Sequence, residues 1–398
     1  MPWKEVSIMS QRLEFVTLAT AQRANIRHLC RCFGISSSTA YKWLKRFQSA
    51  GAKGLQDRSR RPHHSPFRTT AEMEETITNL RYKHPSWGGR KLETRLRELG
   101  HRGVPQPSTI TAILRRQQLL EPKESAKHRA FQRFEHPAPN DLWQMDFKGE
   151  FKLRHGRCYP LTILDDHSRF ALALQACASN TRNITQTAMI QVFRRYGLPR
   201  RITCDNGSPW GSRGRGYYTG LGVWLMRLGI AVSHSRPHHP QTQGKDERFH
   251  RTIEAEVLRY QHGDTLGQWQ THFDQWRLVY NTERPHEALS MSVPASRYQP
   301  SHRRYPEQLP AIEYGPADIV RKVRRYGHIK YAGREYHVGS AFYGLHIALR
   351  QTATDGLFDV YFCQHKIGAL DLSDNKLDRK STRLNSSHIQ KSRMPSSA

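Results

Sequence analysis

Apolar residues recur at helical spacing in the first part of the chain. Ile26, Leu29 and Phe33 share one face of a predicted helix, a glycine turn interrupts the pattern, and residues 36–47 resume it behind serines suited to a helix N-cap. A helix, a short turn and a second, basic helix are typical of a helix-turn-helix. We predict such a unit over residues 10–56, with an ordinary helical hairpin as the alternative.

The helical spacing returns further along the chain. Leu92, Leu96 and Leu99 form a stripe, and a turn-rich gap and another short helix follow it. This pattern predicts a second helix-turn-helix over residues 69–121. Between the two units, residues 57–68 are basic, interrupted by proline and without hydrophobic periodicity. We interpret them as a basic linker that either lies along a DNA groove or is simply solvated.

From about Ala138 the pattern changes to strands that alternate with helices. The predicted order is strand 142–153, strand 158–164, strand 169–176, helix 183–196, strand 198–204, helix 221–228, strand 230–234 and helix 244–260. Three antiparallel strands followed by strand–helix units are the order of the ribonuclease-H-like fold. We therefore predict a central α/β core of this type over residues 136–300.

Short strand-like runs, separated by glycines, follow the core. They predict a small five- or six-stranded β-barrel over residues 315–373. The chain is thus expected to be multidomain, with N-terminal all-α units, an α/β core and a C-terminal β-module. The final residues, 378–398, resemble one reading frame of a common sequencing adapter. We expect them to be an artefact, with a disordered basic tail as the alternative.

The charge balance narrows the function classes. The 398 residues include 63 Lys+Arg against 34 Asp+Glu, a net charge of +29. Such an excess indicates a polyanionic partner, most simply nucleic acid, with a ribosomal-type or membrane-surface protein as the alternative. No run approaches the roughly 20 apolar residues of a membrane span, and the N-terminus lacks the apolar core of a signal peptide. With six scattered cysteines, we expect a cytoplasmic protein with reduced thiols and without structural zinc.

Polar and basic side chains on the predicted helices are the candidate DNA contacts. In the first unit they are Ser37, Ser38, Lys42, Lys45 and Arg46. In the second unit they are Ser108, Thr109, Thr111, Arg115 and Arg116. Two such units in tandem predict a long or bipartite DNA site.

Three acidic residues have contexts that suit metal-binding carboxylates in a nuclease-like core. Asp146 lies inside a strand-like run, Asp205 ends a second run just before a turn signal, and Glu247 lies near the start of a predicted helix. Carboxylates that converge from two strands and a helix can hold divalent cations for phosphodiester chemistry. A strand-end cap or turn former is the alternative for each aspartate, and Glu254 is the alternative third carboxylate.

Other acids compete for the same role. Asp165 and Asp166 are adjacent, and we interpret them as part of a turn between strands, with direct metal binding as the alternative. Asp246 precedes Glu247, but successive helical residues point about 100° apart. We therefore do not place Asp246 in the site.

Basic and aromatic residues near the acids are further candidate DNA contacts. The basic ones are His234, Arg236, His238, Lys245, Arg248 and Arg251. Lys245 and Arg248 flank Glu247, where they would clamp phosphates. Trp210 is a candidate for stacking on an unpaired base, with core packing as the alternative.

Four segments, WQMDFKGEF, DDHSRF, TCDNGSPW and SRPHHPQTQGKDERFHRTIEAE, together resemble the DDE transposases of bacterial insertion sequences, which share a core with retroviral integrases. The resemblance covers about residues 20–370. It implies that Asp146, Asp205 and Glu247 form the catalytic triad and hold two Mg²⁺ ions, for which Mn²⁺ substitutes. It also implies that the C-terminal β-barrel is SH3-like.

The resemblance further implies a reaction and its partners. Water attacks the phosphate at the element end, and the exposed 3′-OH then attacks target DNA. The expected partners are double-stranded DNA, as terminal repeats and as target, and further copies of the chain in a homodimer or larger oligomer. The alternatives are a catalytically inactive DNA-binding protein derived from a transposase, and a ribonuclease-H-like nuclease or resolvase.

Overall fold

The computed structural model describes residues 7–58, 68–120, 135–211, 218–234, 244–372 and 377–378. The chain divides into two compact units, Met1–Arg68 and Thr69–Ala398. No helix in these ranges combines the length and the apolar character needed to cross a membrane.

The first unit is built from three helices, α1 (Ile8–Ala19), α2 (Ile26–Cys32) and α3 (Ser37–Ala50). Ser36 caps α3 by accepting a hydrogen bond from the Thr39 backbone N–H, as the serines predicted. The buried core contains Phe15, Val16, Cys30, Ala40, Trp43, Leu44 and Leu55. The helix–turn–helix pair is as predicted, whereas α1 was not predicted.

The second unit begins with three further helices, α4 (Ala71–Lys83), α5 (Gly89–Glu98) and α6 (Pro107–Arg116). The leucine stripe lies inward, with Leu92 and Leu96 fully buried. Their partners in this core are Ile77, Trp87, Ile110, Ile113 and Leu114. The predicted second helical unit is therefore present.

The central sheet contains β1 (Trp143–Phe147), β2 (Phe151–Lys152), β3 (Arg157–Asp165), β4 (Ala171–Cys177), β5 (Arg201–Cys204) and β6 (Ala231–His234). β3 pairs antiparallel with β1, β2 and β4, and β1, β5 and β6 pair in parallel, which gives the order β4-β3-β1-β5-β6. This is the strand order of the ribonuclease-H-like fold, as predicted. One predicted strand, 142–153, is interrupted between β1 and β2, where Gly149 has a φ of +87°.

Helices cover both faces of the central sheet. On one face, α7 (Arg182–Tyr196) and α8 (Gly220–Arg227) pack against the apolar side chains of β1, β3 and β5. On the other face lie α9 (Gly244–Ile253), a π-helical turn (Glu254–Leu258) that continues it, and α10 (Leu266–Thr282). Helix α9 therefore lies over the part of β1 that carries Asp146.

The C-terminal strands are β7 (Ile319–Lys322), β8 (His328–Tyr331), β9 (Arg334–His337), β10 (His346–Gln351), β11 (Leu357–Phe362), β12 (His365–Asp371) and β13 (Leu377–Asp378). They form an antiparallel sheet in the order β13-β12-β11-β10-β7 and a separate hairpin, β8-β9. The prediction of an all-β C-terminal module is confirmed, while an SH3-like barrel stays a prediction. Of the segment 378–398, residues 379–398 lie outside the described ranges.

Candidate active site

Asp146 lies on β1, and Asp205 directly follows the neighbouring parallel strand β5. β1 and β5 pair in parallel, with Gln144 opposite Thr203. Continuing this register by two residues brings Asp146 level with Asp205, and side chains at level positions of neighbouring strands point to the same face. The fold thus brings together the two aspartates that the sequence analysis selected.

The carboxyl group of Asp205 lies close enough to that of Asp146 to disfavour its ionisation. Burial, and then the nearby Asp205, raise the pKa of Asp146 to about 6. The Phe147 N–H opposes this rise, because it donates a hydrogen bond to Asp146 Oδ1 at 2.8 Å. Burial also raises the pKa of Asp205, although the Gly207 N–H and His234 oppose it. Oδ1 of Asp205 is buried and has no hydrogen-bond partner among residues 135–211, 218–234 and 244–372 or elsewhere in the described ranges. A cation between the two carboxylates would compensate for their burial and for the repulsion between their negative charges.

Helix α9 borders this pair but does not turn Glu247 towards it. The Glu247 side chain is exposed, whereas Asp246 beside it is 1% exposed. One turn later, His250 Nε2 lies 2.8 Å from Thr162 Oγ1, which in turn donates to the Asp146 backbone carbonyl at 2.9 Å. Within the described ranges, no three His, Cys, Asp or Glu side chains are grouped as a metal site.

An ion pair holds the first turn of α9 to the sheet. Lys245 Nζ lies 2.5 Å from Asp166 Oδ2, and the other Asp166 oxygen accepts a hydrogen bond from Gln144 Nε2 at 2.8 Å. Burial, and then Arg169, lower the pKa of Lys245 to about 8 in spite of this pairing. Lys245, which we predicted as a phosphate contact, is therefore engaged with a carboxylate in this structure.

We expect Lys245→Gln to destabilise the protein by about 2 kcal/mol, because Asp166 would lose its cation while keeping other donors. If Lys245 pairs with Asp166 and does not contact a phosphate, Lys245→Gln leaves the salt dependence of DNA binding unchanged. The exposed Arg248 provides a matched control. Arg248→Gln should leave unfolding unchanged and lower the slope of log affinity against log salt by about 1. Urea unfolding and DNA titrations at several salt concentrations measure both effects.

The remaining acids near the site have local partners. Asp165 accepts hydrogen bonds from the Ser168 N–H at 2.8 Å and the Ser168 hydroxyl at 2.5 Å, and from the Asn140 N–H at 2.8 Å. These contacts close the turn between β3 and β4, as predicted for this acidic pair. Glu254 pairs with Lys148 at 2.5 Å and lies at the surface.

The predicted DNA contacts of the core have different environments. Trp210 is 3% exposed and stacks on Phe147 at 5.6 Å between ring centroids, which is the core-packing alternative. His234 Nδ1 lies 2.9 Å from the Asp205 backbone carbonyl. Arg251 is exposed, as is Arg248. The remaining two candidates, Arg236 and His238, lie outside the described residues.

The predicted DNA contacts of the helical units are mostly exposed. On α3, Ser37, Ser38, Lys42 and Lys45 are exposed, Arg46 is partly buried, and Lys42 and Arg46 lie over the Trp43 ring. On α6, Ser108, Thr109, Arg115 and Arg116 are exposed, Thr111 is partly buried, and Arg116 forms an ion pair with Glu74. The two helices thus present polar faces.

Family models match most regions of the chain. The family described as "Integrase core domain" matches residues 136–240, and a second model with that description matches 228–294. "IS481 family transposase, C-terminal domain" matches residues 318–378. "Helix-turn-helix domain" matches residues 11–63, and "Homeodomain-like domain" matches 39–114.

Two curated relatives are insertion-element proteins described as uncharacterized. The IS407 protein of Burkholderia multivorans is 26% identical over 42% of this chain and 57% of its own length. The IS476 protein of Xanthomonas euvesicatoria is 28% identical over 39% of this chain and 44% of its own length. The chain therefore spans about half the length of these relatives.

Among solved structures, the HTLV-2 integrase catalytic core domain in complex with magnesium is 16% identical, with a TM-score of 0.32. That match covers 41% of this chain and 99% of the integrase core. The matched families and the insertion-element relatives confirm the resemblance that the sequence motifs indicated. The chain is similar to insertion-sequence transposases, with helix-turn-helix regions, an integrase-like core and a transposase C-terminal region.

Proposed function

We propose that this chain is a DNA transposase that binds insertion-sequence ends and catalyses metal-dependent 3′-end cleavage and strand transfer into target DNA. The observation that carries this proposal is the proximity of Asp146, on β1, to Asp205, at the end of the parallel strand β5, together with a buried Asp205 oxygen that has no hydrogen-bond partner among the described residues. Carboxylate oxygens are the ligands that Mg²⁺ prefers. Two of them on rigid strands provide a fixed base for divalent cations.

In this proposal Asp146, Asp205 and Glu247 hold two Mg²⁺ ions, and Mn²⁺ substitutes for them. The donor set fits, because the negative charge of Asp205 disfavours ionisation of Asp146, and Asp205 Oδ1 has no hydrogen-bond partner among the described residues. Glu247 is included on the sequence resemblance alone. When bound, the ions activate the attacking oxygen and stabilise the leaving oxygen of an in-line displacement. The protein's own carboxylates fix the position of that chemistry on the sheet.

In this proposal the helical units bind double-stranded DNA. The exposed face of α3 combines short polar side chains with Lys42 and Lys45, and Tyr41 beside them is 59% exposed. Such a face suits contacts to phosphates and base edges. Because two element ends must be brought together, we also propose a homodimer or larger oligomer on DNA.

We expect Lys45→Ala to lower the slope of log affinity against log salt by about 1, since one phosphate contact is lost. Lys53, which is exposed beyond the end of α3, is the matched control, and Lys53→Ala should leave the slope unchanged. If the slope of log affinity against log salt is equal for both variants and the unchanged protein, the exposed face of α3 does not bind phosphates through Lys45.

The proposed activity is tested on DNA that carries the terminal repeats flanking the open reading frame. With Mg²⁺ or Mn²⁺ the full chain should nick the repeat end and leave a 3′-OH, and with EDTA it should not. Tight binding without any nick in either metal would instead favour the alternative, a DNA-binding protein without catalysis.

A further inference from the structure

We propose that Asp246 is an additional ligand for the divalent cation, binding it together with Asp146. This inference rests on the proposed function, because it concerns the same metal centre. It differs from the sequence analysis, which placed Glu247 at the site and excluded Asp246 on helical geometry.

The first argument is burial without a partner. Asp246 is 1% exposed, and both of its carboxylate oxygens are buried and have no hydrogen-bond partner within the part of the chain that the structure describes. A buried carboxyl group in this condition is costly unless a hydrogen-bond donor or a cation compensates for it. The neighbouring Lys245 offsets this cost only in part, because its ammonium group contacts Asp166.

Two nearby buried aspartates, in contrast, have hydrogen-bond donors for their carboxylates. Asp165 accepts hydrogen bonds from Ser168 and Asn140. Asp166 accepts hydrogen bonds from Gln144 and the His136 N–H and also pairs with Lys245. Asp246 is as deeply buried as both of them, but no described residue donates a hydrogen bond to its carboxylate.

The second argument is position. Asp246, Phe249, His250 and Ile253 form the side of α9 that faces the sheet, and His250 reaches Thr162, which contacts the Asp146 backbone. Asp246 lies one turn before His250 on that side. Lys245 contacts Asp166 and His250 contacts Thr162, the residue opposite Asp146 on β3, so Asp246 lies over β1 between these contacts, where its carboxyl group and that of Asp146 repel each other. A divalent cation between them would replace this repulsion with two attractive contacts.

The test measures metal binding to the full chain without DNA. Mn²⁺ affinity is measured by calorimetry, and the thermal midpoint is recorded with and without Mg²⁺. For Asp246→Asn we expect the Mn²⁺ affinity to fall roughly 10- to 100-fold. The midpoint without metal should stay the same or rise, because the amide carries no buried charge. The Mg²⁺-induced rise of the midpoint should shrink.

A lower midpoint without metal, combined with unchanged Mn²⁺ affinity, would overturn the proposal and make Asp246 a structural residue. Asp246→Cys gives a second readout that does not depend on the stability of the Asn variant. A thiolate ligand should raise Cd²⁺ affinity relative to Mg²⁺. Unchanged metal preference in that variant would also contradict direct binding.

Asp205→Asn separates this inference from the proposed function. If Asp205→Asn loses Mn²⁺ binding while Asp246→Asn keeps it, the metal centre stands and Asp246 is not part of it. If neither variant changes a measurable affinity, or the unchanged protein binds no Mn²⁺, the metal centre itself is contradicted.

Discussion

Asp205→Asn is expected to slow metal-dependent cleavage of element ends by about 10³-fold or more. The amide keeps the shape of the side chain but removes the negative charge that Asp205 offers a cation beside Asp146. A loss of about 4 kcal/mol of transition-state stabilisation corresponds to a factor of about this size. Single-turnover nicking rates at saturating DNA measure this loss. DNA affinity should stay within about twofold, because Asp205 lies at the end of β5 and not on α3 or α6, the helices that carry the proposed DNA contacts.

The matched control for this prediction is Glu254→Gln. Glu254 lies on the same helical run as Glu247 and pairs with Lys148 at the surface. Its replacement should leave the nicking rate near that of the unchanged protein, whereas Glu247→Gln should abolish nicking. The reverse result, with Glu254→Gln inactive and Glu247→Gln active, would contradict the assignment of the third carboxylate.

Glu256→Ala is expected to destabilise the second unit by about 3–5 kcal/mol, the range for breaking a buried ion pair by removing one partner. Glu256 accepts hydrogen bonds from Arg284 Nε at 2.9 Å, Trp276 Nε1 at 3.0 Å and Ser86 Oγ at 2.8 Å. Ser86 lies between α4 and α5, so Glu256 joins the second helical region to the core. Alanine would leave the largely buried Arg284 guanidinium without its anion. Urea unfolding measures the loss.

The same residue makes stability depend on pH. Burial alone would raise the pKa of Glu256, but Arg284 and Lys91 outweigh it and hold the pKa below its ordinary value of 4.5. A lowered carboxyl pKa contributes stability above the unfolded value, and this contribution is lost as the pH falls through the folded pKa. The difference between the unchanged protein and Glu256→Ala should therefore shrink below about pH 4.5.

Glu307 provides the surface control for this prediction. It pairs with Arg194 at 2.6 Å, and both side chains are largely exposed. Exposed pairs contribute little because water and salt screen them. Glu307→Ala should therefore leave the urea midpoint almost unchanged. Equal destabilisation by Glu307→Ala and Glu256→Ala would contradict the buried role of Glu256.

Local pattern predicted most elements of the fold. Short apolar runs separated by the turn at residues 165–168 predicted β3 and β4, and the predicted strand 198–204 contains β5. The leucine stripe similarly predicted α5. These elements have one buried face or a fully buried run, so their periodicity is visible without any knowledge of their partners.

Elements without a distinct apolar face were harder to predict. The apolar residues of α1 are spread around the helix rather than gathered on one side, so its period is weak. The interruption of strand 142–153 depends on Gly149 and its positive φ. The order of the C-terminal strands depends on which edges meet, and short strands of similar composition do not reveal their pairing partners.

The candidate site was predictable only in part. Asp146 and Asp205 could be selected because each lies at a recognisable place in a strand. Asp246 and Glu247 are adjacent, and which of the two side chains is buried against the sheet depends on how α9 is rotated. That rotation follows from Phe249 and Ile253, which are fully buried, and the apolar spacing of these two residues was the available signal. The Lys245–Asp166 and Glu256–Arg284 pairs join residues distant in sequence, which no local pattern specifies.

Strand transfer from a pre-cleaved end tests the central claim most directly. A short duplex that carries the terminal repeat with a free 3′-OH is incubated with a supercoiled plasmid, the protein and Mg²⁺, and joined products are counted. We predict joining by the unchanged protein and by Glu254→Gln, and no joining by Asp205→Asn or without a divalent cation. Equal joining by the unchanged protein and Asp205→Asn, or no joining by either in Mg²⁺ or Mn²⁺ despite tight DNA binding, would contradict a carboxylate metal centre at Asp146 and Asp205.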